Sequence, residues 1–200
     1  MRVSRIQAQK NRQTVIEVAS RLFRENGFDG IGLKDLMEAA GLTQGAFYKQ
    51  FASKDDLAVQ ASERAMESAT RRWSAAAEAN PKDPLGAMIA LYLSMGHREE
   101  RGDGCPVVAL GADAARQGPV VKASFEAWIR KYLEMLGPWL GESDGEDSAD
   151  RAMAVLSTMV GAMVLSRAVN NKRLAKRFLQ AAAKSVMGLS AGAAQKGQLR

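Results

Sequence analysis

Apolar residues in this chain return at three- and four-residue intervals from Val15 to Leu189, and nowhere do they alternate as a half-buried strand requires. That pattern restricts the fold to the all-α class. Val15, Val18, Ala19, Leu22 and Phe23 follow one helical stripe, and Gly27 stands where a left-handed residue ends a helix. A shorter stripe of Leu33, Leu36, Met37 and Ala40 stops at Gly41. Leu42 and Thr43 then take the N′ and N-cap positions of a third helix, with Leu42 stapled against Phe47. Ser53-Lys54-Asp55-Asp56 has the form of a capping box and opens a long fourth helix.

Further on, Asp83-Pro84 starts a helix lined by Met88, Leu91, Tyr92 and Met95. Pro106 to Arg116 reads as a short helix, and Gly118-Pro119 turns into one striped by Val121, Phe125, Trp128, Tyr132 and Leu136. Gly141 to Asp147 is acidic and glycine-rich, the composition of a mobile connection. From Ala149 to Asn170 the chain is apolar nearly all round, as a helix buried on several sides is. The last helix, near Lys172 to Leu189, shows Leu174, Phe178, Ala181, Ser185 and Leu189 along one side. The total is about nine helices. Residues 1–52 form a small helical domain with a basic arm, residues 53–190 a larger helical domain, and residues 191–200 are expected to be a disordered tail.

Charge narrows the function. The chain carries +6 overall, but residues 1–60 hold 9 Lys/Arg against 7 Asp/Glu, residues 61–150 hold 10 against 15, and residues 151–200 hold 9 against none. Arg2, Arg5, Lys10 and Arg12 all precede the first acid, which suits a polyanionic partner. With one cysteine there is no internal disulfide framework, and no secretory signal is evident, so the cytoplasm is expected. The longest wholly apolar run, Met159 to Leu165, falls short of the ~18 residues of a membrane span, so no membrane partner is expected.

Three short helices, the last two joined by Gly41-Leu42-Thr43, make a helix-turn-helix, whose final helix enters the major groove by its N-terminal end. Thr43 caps that helix and offers its hydroxyl at the groove; Gln44 can pair bidentately with adenine. Gly45 and Ala46 are small enough for the helix terminus to approach DNA closely. Tyr48 and Lys49 are placed to hold phosphates, which set register without reading sequence. Lys54 opposes the dipole at the start of its helix unless an anion such as a phosphate is near. Phe47 and Phe51, spaced i, i+4, read as core.

From Phe28 to Leu57 the chain runs FDGIGLKDLMEAAGLTQGAFYKQFASKDDL, which closely resembles the TetR family of transcriptional regulators. The stretches GCPVVALGADAA and LSTMVGAMVLSRAV resemble the sensor domain of a branch with a Gly-Cys pair before its sixth helix. Two positions depart from the pattern: Gln50 stands where many relatives have His, and Gly32 where Ser or Thr usually caps the second helix. The resemblance implies double-stranded operator DNA as partner, met by Leu33, Lys34, Thr43, Gln44, Gly45, Ala46, Tyr48, Lys49, Gln50 and Lys54. It also implies a homodimer through the helices near 149–170 and 172–189, where Ser157 and Gly161 form a small-x-x-x-small pair.

A small-molecule inducer is implied as well, with Met88, Tyr92, Met95, Trp128, Tyr132 and Met163 as candidate pocket residues. In some members with a Gly-Cys pair the cysteine senses electrophiles or oxidants. Here Cys105 precedes Pro106 at a helix start, where the dipole favours thiolate. The expected function is repression, released by a small apolar or electrophilic molecule, with no catalysis, cofactor or metal. Two alternatives remain open: a sequence-indifferent architectural DNA protein, and a hydrolase built on Cys105 and His97, the latter expected to face solvent.

Overall fold

Helix α1 (Arg5–Asn26) begins where Ser4 Oγ accepts the Gln7 N–H at 3.1 Å, so the basic residues Arg5, Lys10 and Arg12 lie on a helix rather than a trailing arm. The structure, a computed structural model, describes residues 4–140 and 146–197. α1 buries Val15, Ala19 and Phe23 and ends at Gly27, whose φ of 82° is the left-handed value a side chain resists. α2 (Leu33–Ala39) closes with a paired C-terminal motif: Gly41, at φ 72°, donates to the Glu38 carbonyl and Leu42 donates to the Met37 carbonyl. α3 (Gln44–Phe47) follows after the four residues 40–43.

The capping box at the start of α4 (Lys54–Ala79) forms: Ser53 Oγ accepts from Asp56 N at 3.0 Å, and Asp56 Oδ2 accepts from Ala52 N at 3.0 Å. α5 (Pro84–Tyr92) is capped by Asp83, which accepts from Gly86 N at 2.9 Å. The single helix expected through Met95 is broken after Tyr92. Ser94 caps a separate short helix, α6 (Met95–Glu99), by accepting from His97 N at 3.0 Å. The serine draws an orphan N–H that the longer helix would have used, and Met95 leaves the line of Met88 and Tyr92.

α7 (Pro106–Ala114), α8 (Pro119–Leu136), a 3-10 turn at Gly137–Leu140, α9 (Glu146–Ala168) and α10 (Lys172–Gly197) complete the chain. Among the described residues there are only helices and connections. The connection expected to be mobile falls, over residues 141–145, outside the described residues. α10 continues past Ser190, where a disordered tail was expected. Ala191, Ala193, Ala194, Gln195 and Lys196 include the strongest helix formers, and they extend a helix already nucleated.

The chain clusters into two compact units, Met1–Ala69 with Arg101–Glu126 and Thr70–Glu100 with Ala127–Arg200. They cut across a linear division at residue 52, because α4 and α8 each belong to both. In the first unit α1 packs on α2 and α7, and α2 on α3. Its core is aromatic: Phe23 meets Phe28 edge-on at 5.3 Å, Phe28 meets Phe125 at 6.4 Å, and Phe47 stacks on Phe51 at 5.3 Å.

In the second unit α9 packs along α10. Val155, Leu156, Met159, Ala162 and Met163 of α9 are buried, as are Ala175, Leu179, Ala182 and Val186 of α10. The stripe visible in the sequence of α10 is therefore not its inward face. Leu174, Ala181, Ser185 and Leu189 are exposed and Phe178 is half-buried, while the stripe one residue on carries the packing. α10 has two apolar lines, and the chain itself covers one.

Candidate nucleic-acid interface and sensor residues

The recognition segment is a thin polar shell on an aromatic floor. Phe47 and Phe51 are 1% and 3% exposed, whereas Tyr48 is 68% exposed and rests edge-on against Phe47 at 5.3 Å. Thr43, Gln44, Gly45 and Lys49 are exposed, and Ala46 and Gln50 are half-buried. The stacked rings fix the backbone while the alternate residues look outward, so rigidity and accessibility come from the same four-residue spacing.

Thr43 holds the N-cap backbone geometry (φ −82°, ψ 152°), but its side chain makes no capping hydrogen bond; Ala46 N donates to the Thr43 carbonyl at 3.0 Å instead. In so short a helix that single tight turn already satisfies the N–H the hydroxyl would have served, and the hydroxyl stays available to a partner. At Gly45 an added Cβ would meet nothing within 4 Å, so nothing inside the protein demands glycine there.

Leu33 is half-buried, and Lys34 is exposed and pairs with Glu38 at 3.7 Å. Lys54 does not stand free at its helix start: its Nζ donates to the Ile31 carbonyl at 2.8 Å. The unfavourable position of a cation at the positive helix end is relieved by a carbonyl dipole from the loop before α2. Lys54 thus ties α4 to the helix-turn-helix, with further ammonium hydrogens left to meet an anion.

α1 is held to the loop before α7 and to α7 by contacts no local pattern announced. Buried Arg24 donates from Nε to the Ser20 carbonyl (2.9 Å) and from Nη1 to the Gly104 carbonyl (3.0 Å), with Asp103 at 3.7 Å. Asp113 accepts the Phe28 N–H at 3.2 Å. α7 is bracketed at both ends, and Cys105, 1% exposed and in no disulfide, is its N-cap residue. On the other side of α1, Glu17 accepts from Arg64 Nε at 3.0 Å and Nη2 at 2.8 Å.

Of the candidate sensor residues in the second unit, Met88, Tyr92, Tyr132 and Met163 are fully buried, and Met95 and Trp128 are half-buried. Trp73, missed in the sequence because it lies on the polar length of α4, joins them. It stacks on Tyr132 at 4.6 Å and meets Tyr92 edge-on at 5.4 Å. Lys131 covers Trp128 at 3.9 Å.

His97 is not solvent-facing. Its ring packs on Tyr92 at 4.6 Å, with Nδ1 2.6 Å from the Tyr92 carbonyl oxygen. Burial lowers its pKa from 6.5 to about 4; the Tyr92 carbonyl opposes this, and the positive charges of Arg167 and Arg72 add to it. The break after Tyr92 turns the helix end inward, which no periodicity argument could show. Arg167 donates to the His97 and Arg98 carbonyls at 2.7 and 3.1 Å, and Arg98 to those of Ser166 and Val169 at 2.8 and 3.0 Å. The two helix ends cap each other.

Comparison with known proteins supplies the context for this geometry. Residues 15–61, spanning most of α1 through the first turns of α4, match the family model described as bacterial regulatory proteins, tetR family. The chain is 27% identical over 169 residues to the HTH-type transcriptional regulator LmrA of Bacillus subtilis (strain 168), covering 80% of this chain and 88% of that one. It is 22% identical over 177 residues to the HTH-type transcriptional repressor DhaR of Mycobacterium sp. (strain GP1), covering 84% and 88%. In fold it is similar to a TetR-family regulator from Cytophaga hutchinsonii, with a TM-score of 0.79 at 22% identity over 96% of this chain and 98% of the other. With the helix-turn-helix formed and its polar edge outward, the chain matches the DNA-binding segment of the TetR family over residues 15–61 and is similar over most of its length to HTH-type transcriptional regulators.

Proposed function

We propose that this regulator is a cytoplasmic repressor that binds a palindromic operator as a homodimer through residues 1–52. It leaves the operator when a small apolar or electrophilic molecule binds or modifies residues 53–190. The observation that carries this reading is the exposed edge of Thr43, Gln44, Gly45, Tyr48 and Lys49 fixed on the buried Phe47 and Phe51. Such an edge can read bases through Gln44 and hold phosphates through Tyr48 and Lys49. Selection of bound duplexes from a random pool tests it. The expected product is an inverted repeat with half-sites about one helical turn, ~34 Å, apart. Strong binding with no preferred sequence favours the architectural alternative instead.

The uncovered apolar stripes support the homodimer. On α9, Met153, Ser157, Val164 and Leu165 are exposed, and an added Cβ at Gly161 would meet only open space. On α10, Leu174, Met187 and Leu189 are exposed. Over Ser148–Ala168 α9 is apolar enough by composition to match a membrane span, but one side of it is buried against its own chain. A second copy meets the remaining side at lower cost than lipid does, since the polar residues beside it stay hydrated.

Cys105 is the candidate for the electrophilic route, weighed against a small buried hydrophobe, the reading its 1% exposure favours; modification of the thiol would displace the Gly104 carbonyl that Arg24 holds and so press on α1. Mass spectrometry after mild electrophile treatment, with DNA release by Cys105→Ser, tests this: an unmodified thiol, or unchanged release, rejects it. The packing of His97 on Tyr92 weighs against a hydrolase.

A further inference from the structure

Arg12 differs from Arg21, Arg24 and Arg64 of the first unit. Its guanidinium carbon lies 4.6 Å from the centroid of Phe51, so the planar group rests on the residue that closes the recognition segment. Arg21, Arg24 and Arg64 meet Glu25, Asp103 and Glu17. Arg12 makes no hydrogen bond or ion pair among the described residues, and its Nη1 is buried with no acceptor. Gln50 has the complementary defect, an Oε1 buried with no donor. Both residues adjoin Phe51, one through space and one along the chain.

A half-buried cation without a counter-ion and a buried carbonyl without a donor each cost free energy, so such groups persist where a partner arrives later. We propose that Arg12 grips a DNA backbone phosphate and that Gln50 completes the grip. With the phosphate on the outer edge of the guanidinium, Nη1 turns to Gln50 Oε1, and both unsatisfied groups are closed in one step. The inference rests on the DNA-binding reading. Arginine suits the task because its planar fork offers donors on two edges, and the Phe51 face holds that plane in position. The contact carries no sequence information; it sets the register in which Gln44 reads bases.

Fluorescence anisotropy with the full chain, a random-sequence duplex and the selected operator, over a salt series, tests the proposal. Arg12→Gln is expected to weaken binding to both duplexes roughly 10- to 100-fold at low salt, leaving their ratio unchanged. The slope of log affinity against log salt should fall by about 0.9 for each phosphate that is no longer neutralised. Arg12→Lys should keep the slope but give up part of the affinity. Gln50→Ala should weaken the native protein and add nothing to Arg12→Gln, the non-additivity of a shared interaction. Thermal unfolding of each variant separates damage to the fold: a purely structural Arg12 would lower the melting temperature and leave the salt slope of the folded fraction intact. An unchanged slope in Arg12→Gln, or additive effects with Gln50→Ala, overturns the proposal. If the native chain binds neither duplex at any salt, the DNA-binding reading itself falls, and this inference with it.

Discussion

The two units leave opposite chemistries uncovered on helices built from similar material. In the first, the open edge is polar and lies on a ring stack: Thr43, Gln44, Tyr48, Lys49 and the unneutralised Arg12 surround Phe47 and Phe51. In the second, the open edge is apolar and lies on a packed helix pair: Met153, Val164, Leu165, Leu174 and Leu189 stand outside the α9 and α10 contact. An open polar edge loses little by staying in water and gains from a dense anion. An open apolar edge is costly in water and gains from a matching surface. One face is therefore suited to a reversible, salt-sensitive partner and the other to a lasting one.

The largest break in this comparison comes from charging the apolar edge. Leu165→Arg with Leu174→Arg should convert the proposed dimer to a monomer, seen as a halved mass in light scattering. Operator affinity should fall by a factor on the order of 100 or more, because two linked heads become one. A dimer that survives both charges removes α9 and α10 from the interface. Next in size, Phe47→Ala should cost about 3 to 5 kcal/mol of stability in the first unit and abolish DNA binding. The same variant should leave the dimer mass unaltered, measured by denaturation and light scattering together; loss of the dimer would show that the two edges are not independent.

Smaller effects sharpen the polar side. Gln44→Ala should lose about 1 to 3 kcal/mol on the selected operator and almost nothing on random DNA, which competition titration reads directly. An equal loss on both would make Gln44 a backbone contact.

His97 gives a pH signature confined to the second unit. Its folded pKa, near 4, lies below the unfolded 6.5, so the unfolded chain takes up the proton first as pH falls. Stability is full above pH 6.5 and declines towards pH 4 by on the order of 3 kcal/mol. His97→Asn should flatten that window in thermal melts across pH, with the fluorescence of the aromatic cluster at Trp73 as the probe.

Much of the polar edge is legible in the sequence, because it is local. The turn at Gly41, the capping box at Ser53 and the i, i+4 spacing of Phe47 and Phe51 all act within five residues, and each forms. Non-local elements escape such reading for a common reason. The break after Tyr92, the burial of His97 and the carbonyl partner of Lys54 each depend on a neighbour that periodicity does not name.

The order of the first helices and the outward edge of Thr43, Gln44, Tyr48 and Lys49 were set by the chain's own pattern of apolar spacing, caps and glycines, since those act through short-range geometry. Which of two apolar stripes on α10 turns inward, and how Arg24 and Asp113 fasten α7 to α1 across 80 and 85 residues, were decided only by the folded whole. A helix can offer several faces at nearly equal local energy, and the choice among them belongs to the partner that packs against it.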